Sequence, residues 1–428
     1  MGFGPFETAS IIVAAAALAG YLNHLTLKLP QTIALTLTGV VAAIVVLVID
    51  AIFPDAHLAR VAAEFMANID FRTALLNVML SFLLFAGALH IDIKEMRRGQ
   101  WLIGVLSTVG VLISTAIVAA GFWALTLAVG LAVPFQWCLV FGALISPTDP
   151  VAVIALLQNS AAPSLLKTTV AAESLFNDGV GVVVFTIFFG AAASGQTLGF
   201  LDGIRLFAVE AGGGVALGLV LGFVGFFMMR TIEDYATEAL ISVALAMAGY
   251  VVATPLGVSG PVAMAVAGVV IGNYAVSRAM TEITRQHLLA FWDLVDHILN
   301  ATLFLLIGLQ GLALLERWGL LVVGLGCVPL VLLARAGSVL PPLAVWRGLV
   351  SLRQAFPILT WGGLRGGLCI AMALSLPQTP FRDVVLASTY VVVMFSVIVQ
   401  GLTIDPLIKR ILRGSVALKL PVRPPVIR

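Results

Sequence analysis

Five ionisable residues stand deep inside stretches otherwise too apolar to hold charge: Asp149, Glu173, Asp178, Arg335 and Arg365. A charge at the middle of a membrane helix costs about 3 kcal/mol or more, so such groups face partners or a water-filled cavity and mark an ion or substrate path. Glu210 is a sixth, nearer the end of its helix.

The residues around the five sharpen that reading. Ser146-Pro147-Thr148-Asp149-Pro150 sets two prolines three apart within one apolar run. Each lacks an N–H and clashes with the preceding turn, so the helix opens there, which lipid permits only where protein or a cavity satisfies the freed backbone. Free carbonyls, the Thr148 hydroxyl and the Asp149 carboxylate then form an oxygen-rich site suited to a hard monovalent cation. Glu173-Ser174-Leu175-Phe176-Asn177-Asp178-Gly179 lies in the next run. Helical periodicity stacks Glu173 with Asn177 and Ser174 with Asp178, so all four can line one cavity, and Gly179 and Gly181 let a neighbouring helix come close. Trp361-Gly362-Gly363-Leu364-Arg365-Gly366-Gly367 surrounds an arginine with glycines. The lost packing predicts a second break at mid-membrane.

The elements that must position these residues follow from composition. Of 428 residues 61% are hydrophobic and 10% charged, and the mean hydropathy is +1.11, which excludes a soluble domain and implies a polytopic membrane protein. A formal net charge of +2 gives no basic face for nucleic acid. Cys138, Cys327 and Cys369 are far apart in apolar runs and read as small buried hydrophobes rather than as a disulfide framework or metal site. The opening MGFGPFETAS carries no Lys or Arg, so the first run reads as a retained helix rather than a cleaved signal. Thirteen spans are predicted, at about 9–27, 30–50, 73–91, 99–129, 135–158, 166–194, 206–229, 236–254, 258–275, 289–314, 318–345, 355–376 and 384–408. Losing the turn between Thr254 and Gly260 would merge two of them and leave twelve. With the N-terminus outside and the C-terminus cytoplasmic, sixteen of the 23 Lys and Arg fall in cytoplasmic segments and five in outer ones. The remaining two are Arg335 and Arg365. No loop is long enough for a soluble regulatory domain, so one transmembrane domain is expected over 1–428. The two interrupted spans, the fifth and twelfth, cross the membrane in opposite directions, as corresponding members of two inverted six-helix repeats around a linker helix would.

SPTDPVAV, ESLFNDG and GGLRGG, in that order and on the expected spans, resemble the motifs of monovalent cation/proton antiporters of the NhaP and sodium/proton exchanger type. The resemblance runs from the IDIKEMRR loop to the LTIDPLI stretch. It implies an all-α, NhaA-like antiporter fold with crossed discontinuous helices. Core helices would lie at about 73–194 and 289–408 and dimerisation helices at about 9–50 and 206–275. It implies that Asp178 alternately holds a cation and a proton. Thr148, Asp149, Ser174 and, through water, Glu173 would complete the Na+ site, with Asn177 stabilising it. Glu173 would pair with Arg335, and Arg365 would sit beside the crossed breaks. No cofactor is implied, and no enzymatic activity. A homodimer in a prokaryotic inner membrane is expected, without the long cytoplasmic tail of animal exchangers.

Charge counting agrees with that chemistry, since three deep acids and two deep bases leave one carboxylate without a fixed counter-charge. Asp178 is assigned to it. Asn177, standing where a second acid could have been, predicts a one-for-one and electroneutral exchange of Na+, Li+ or K+ for H+. A cation channel or an organic-anion carrier would instead turn the buried arginines toward substrate. An intramembrane aspartyl protease would need a GxGD motif that the chain lacks, and would leave Glu173 and both arginines without a task. His24, His57, His90 and His287 read as interfacial, and Asp293, Asp296 and His297, at the cytoplasmic start of the tenth span, as a solvated helix end, the alternative being a role at the cytoplasmic funnel or in pH response.

Overall fold

The computed structural model describes residues 4–67, 76, 78–149, 151–158, 160, 162–195, 199–311 and 318–416. Pro150, the beginning of the predicted third span and the last twelve residues lie outside them. Every described element is helical, and the one β-bridge joins Asp149 to Leu364.

The first half comprises α1 (Pro5–Leu25), α2 (Gln31–Ile52), α3 (Leu58–Ala67), α4 (Leu80–Leu89), α5 (Ile93–Arg98), α6 (Gln100–Ser107), α7 (Val109–Ala128), α8 (Phe135–Ile145), α9 (Val151–Gln158) and α10 (Ser164–Ser194). The second comprises α11 (Phe200–Met229), α12 (Tyr235–Ala253), α13 (Gly260–Val270), α14 (Glu282–Leu309), α15 (Trp318–Val345), α16 (Leu352–Trp361), α17 (Gly367–Leu374), α18 (Arg382–Phe395) and α19 (Gly401–Val416). Five-residue π-turns, Ile271–Ala275 and Ser396–Gln400, extend α13 and join α18 to α19. Each of the thirteen predicted stretches carries helix. Nine helices among the described residues are long and apolar enough to cross a membrane, counting α6–α7 and α18–α19 as continuous. The other four stretches are short or interrupted, and two of these are the fifth and twelfth.

Polar side chains start several helices. Asp234 caps α12 by accepting from Thr237 N at 3.1 Å, Ser259 caps α13 and Thr281 caps α14. The Thr237 hydrogen bonds hold the exposed Asp234 carboxyl below its ordinary pKa. The turn between Thr254 and Gly260 is present and separates α12 from α13, with Gly257 at φ +64° in the left-handed region that glycine tolerates.

The helices pack as two groups. In one, α1, α2, α4, α11, α12, α13 and α14 contact one another; in the other, α6 to α9 and α15 to α19 do so, with α10 touching both. Without a hydrophobic drive between helices in lipid, close backbone approach supplies much of the attraction. Thus α2 crosses α14 where Gly39 meets Gly308, and a Cβ on either would overlap the other helix's backbone.

Candidate functional site

Both predicted breaks are present and they meet. The fifth span stops at Ile145 and resumes at Val151, and the twelfth stops at Trp361 and resumes at Gly367. Asp149 N donates to Leu364 O at 2.8 Å, so one break satisfies part of the other's freed backbone. Arg365, only 1% exposed, supplies more: its Nη1 donates to Ser146 O and, at 2.8 Å, to Pro147 O, while its backbone N donates to Ser396 Oγ at 2.7 Å. Glycine is required beside it, because a Cβ on Gly366 would fall onto the Asp149 carboxyl group. A Cβ on Gly181 would likewise strike the Pro147 ring, the close crossing of α10 on the fifth span that the sequence anticipates.

Behind the crossing lies a closed polar cluster. Glu173, 1% exposed, receives Arg335 Nη1 at 2.8 Å and Nη2 at 3.0 Å, a two-pronged pair, and Arg335 Nε donates to Leu359 O at 3.1 Å. Asn177 Nδ2 donates to Glu173 Oε1 at 3.0 Å and to Thr148 Oγ1 at 2.7 Å, and its Oδ1 accepts Thr148 N at 3.1 Å. Ser174 Oγ lies 3.2 Å from Thr148 Oγ1 and donates to Thr148 O. Asn177 therefore ties the unwound strand of the fifth span to α10, and Arg335 ties α10 to α15 and α16.

In front of the crossing is a cavity of about 500 Å³, lined by Thr148, Asp149 and Asp178 at its inner end and by Asp293, Asp296 and His297 of α14 at its mouth. His90 Nε2 and Asp293 Oδ1, 3.0 Å apart and both substantially exposed, form the rim. Of the five residues expected around a cation, Thr148, Asp149 and Asp178 line this cavity. Ser174 and Glu173 instead face the cluster behind, bordering a separate small void with Arg335. The four polar residues of α10 thus serve two sides of the helix rather than one cavity, because the fifth span's unwound strand lies between them. Asp149 accepts Val151 N at 3.0 Å and so caps α9. The charge count also resolves differently: Arg335 is paired with Glu173, whereas Arg365 donates through Nη1 to two carbonyls, and among the described residues it makes no ion pair and neither Asp149 nor Asp178 has an ion-pair partner. Neither guanidinium lines the cavity, which disfavours binding of an organic anion there. Ser396, Asn300 and the Leu364 carbonyl join the site without any sequence signal, since only their tertiary placement gives them a role.

Two broken helices that meet at their breaks, with two carboxylates on one cavity that have no ion-pair partner among the described residues, define a secondary ion transporter of the broken-helix class. The sequence comparisons specify the family. Residues 13–410 match the model of the sodium/hydrogen exchanger transmembrane family, and the chain belongs to that family. It is 41% identical over 415 residues to the Na(+)/H(+) antiporter NhaP of Pseudomonas aeruginosa, covering 96% of this chain and 97% of that one. It is 34% identical over 391 residues to the Na(+)/H(+) antiporter NhaH of Halobacillus dabanensis, covering 90% and 93%. The fold matches that of the sodium proton antiporter MjNhaP1 of Methanocaldococcus jannaschii with a TM-score of 0.73 at 21% identity, over 94% of this chain and 97% of that one. The chain is a multi-pass membrane protein with the antiporter fold.

Proposed function

We propose that the protein exchanges a monovalent cation, Na+ or alternatively Li+ or K+, for H+ across a bacterial inner membrane, one for one. The observation that carries this is the pair of carboxylates, Asp149 and Asp178, without ion-pair partners among the described residues and on one cavity that reaches the crossed breaks. Cation and proton compete for Asp178: the carboxylate must lose its proton before it can ligate a cation, and release of the cation lets a proton return. Asp149 and the Thr148 hydroxyl supply further oxygens. Ser174, Asn177 and Glu173 hold the Thr148 strand from behind, with Glu173 reaching a cation only through water. Arg335 and Arg365 keep the cluster and the breaks in register.

The cavity lies on the seam between the two helix groups, which supports alternating access by movement of the group bearing the breaks, α6–α10 and α15–α19, against the other. Counted this way α4 and α14 belong with the stationary helices, because they pack on α13 and on α2 respectively. Within the stationary set, the helices at about 9–50 and 206–275 would carry a homodimer interface. The excess of Lys and Arg in alternate loops supports an external N-terminus and a cytoplasmic C-terminus. The test is recovery of a quenched pH dye in proteoliposomes on addition of NaCl, LiCl or KCl. Wild-type protein should collapse the imposed proton gradient with at least one of the three, and Asp178→Asn with none. A wild-type rate in that variant would refute the mechanism.

A further inference from the structure

Of the residues at the cavity mouth, Asp296 is singled out by position. It projects from α14, in the stationary group, into the cavity whose far wall holds Asp149 and Asp178 in the moving group. Asp296 and Asp149 line the same cavity. Asn300, one turn further along α14 and 9% exposed, lines the same cavity beside Asp296. Asp293, by contrast, is engaged by His90 at the solvated rim. From this juxtaposition, and resting on the exchange reading above, we propose that Asp296 is a fixed carboxylate that raises cation and proton affinity of the transport site on one face of the membrane only.

The physical argument concerns which charges move. A negative charge across a narrow cavity with low-dielectric walls attracts any monovalent cation to the opposite wall. When the breaks move toward the other face, Asp149 and Asp178 travel with them and Asp296 stays behind on α14. The attraction therefore exists in one conformation and vanishes in the other, and site affinities on the two faces become unequal. The groups facing Asp296 are Asp293 and His297 on its own helix, His90 at the end of α4, and Asp149 and Asp178 across the cavity. Around Asp178 the further charges are Glu173, already paired with Arg335, and Arg365, held on carbonyls.

The field does not distinguish sodium from a proton, and this gives the proposal a signature that a packing defect lacks. Removing the Asp296 charge weakens both ions by the same factor. At acid pH, where a proton must be displaced before sodium can bind, the two losses cancel and the half-saturating sodium concentration stays at its wild-type value. At alkaline pH, where no proton competes, only the sodium loss remains and half-saturation rises. The level region of the curve is therefore raised and its acid limb begins at lower pH.

The experiment compares Asp296→Asn with wild type in everted and in right-side-out membrane vesicles, measuring half-saturating NaCl across about three pH units. In one vesicle orientation the variant should show a rise of about three- to tenfold at the alkaline end and none at the acid end, with wild-type values in the other orientation. Asp296→Glu should restore the wild-type curve, and Asp293→Asn should shift it less. Equal shifts in both orientations, a shift uniform across pH, or no shift in either would overturn the proposal. A wild-type half-saturation independent of pH would instead overturn the shared site itself, so the two failures are distinguishable.

Discussion

At the scale of single residues, the distinction that matters is between charges that are spent and charges that are not. Glu173 and Arg335 neutralise each other in a two-pronged pair, and removing one partner strands the other. Arg335→Ala should lower stability by about 3 to 5 kcal/mol, read as a lowered melting temperature in detergent. Glu173→Gln combined with Arg335→Ala should recover part of that loss, because no charge is then left alone. A double variant no more stable than Arg335→Ala would contradict the pairing. Asp178 carries the opposite expectation: a shared site requires half-saturating sodium to rise about tenfold for each pH unit below the pKa of the group and to level off above it. Measured with the same pH on both sides, exchange should follow a bell-shaped curve, since excess proton blocks cation loading and too little leaves no proton to return.

At the scale of elements, the two breaks work as one unit. Each leaves backbone groups open at a depth where water is scarce, and each is closed by the other through Asp149 N, Leu364 O and the Arg365 guanidinium. Gly366→Ala should therefore do more than stiffen a loop, because the added methyl occupies the space of the Asp149 carboxyl. Sodium-dependent exchange should fall about tenfold or more, as displacement of a positioned group by about 1 Å is enough for such a loss. Near-wild-type half-saturation in proteoliposomes would show that the carboxyl can relocate without cost. Ser396→Ala removes the acceptor for Arg365 N and should produce a smaller loss, about 1 kcal/mol of stability.

At the scale of the whole molecule, the cavity lies on the seam between two helix groups, so relative movement of the groups opens and closes it. One-for-one exchange moves no net charge in a cycle. The rate in vesicles clamped with valinomycin and potassium should therefore be the same at any imposed potential, with sodium as the transported cation. A rate that tracks the clamp would show net charge movement and contradict the stoichiometry inferred from Asn177 beside Asp178.

The residues that break helices and those too polar for lipid were legible in the linear chain, because a proline, a glycine run or a membrane-depth charge acts on its own segment whatever surrounds it. Hence Pro147, Gly362–Gly367, Asp149, Glu173, Asp178, Arg335 and Arg365 stood out, as did the thirteen apolar stretches. The side each residue faces was not legible. Periodicity placed Glu173, Ser174, Asn177 and Asp178 on adjacent stripes, but the unwound strand of the fifth span passes between them and divides them into a sealed cluster and a cavity wall. The counter-charge of Arg365 was equally beyond reach, since free carbonyls at Ser146 and Pro147 become partners only when the second break is brought against the first. Asp296 read as a solvated helix end until packing of α14 against α2 and α4 placed it, with Asn300, on the wall of the cavity. Local chemistry determined where the chain breaks and where it must hide charge; only the meeting of distant segments decided which charges were cancelled and which were left to bind an ion.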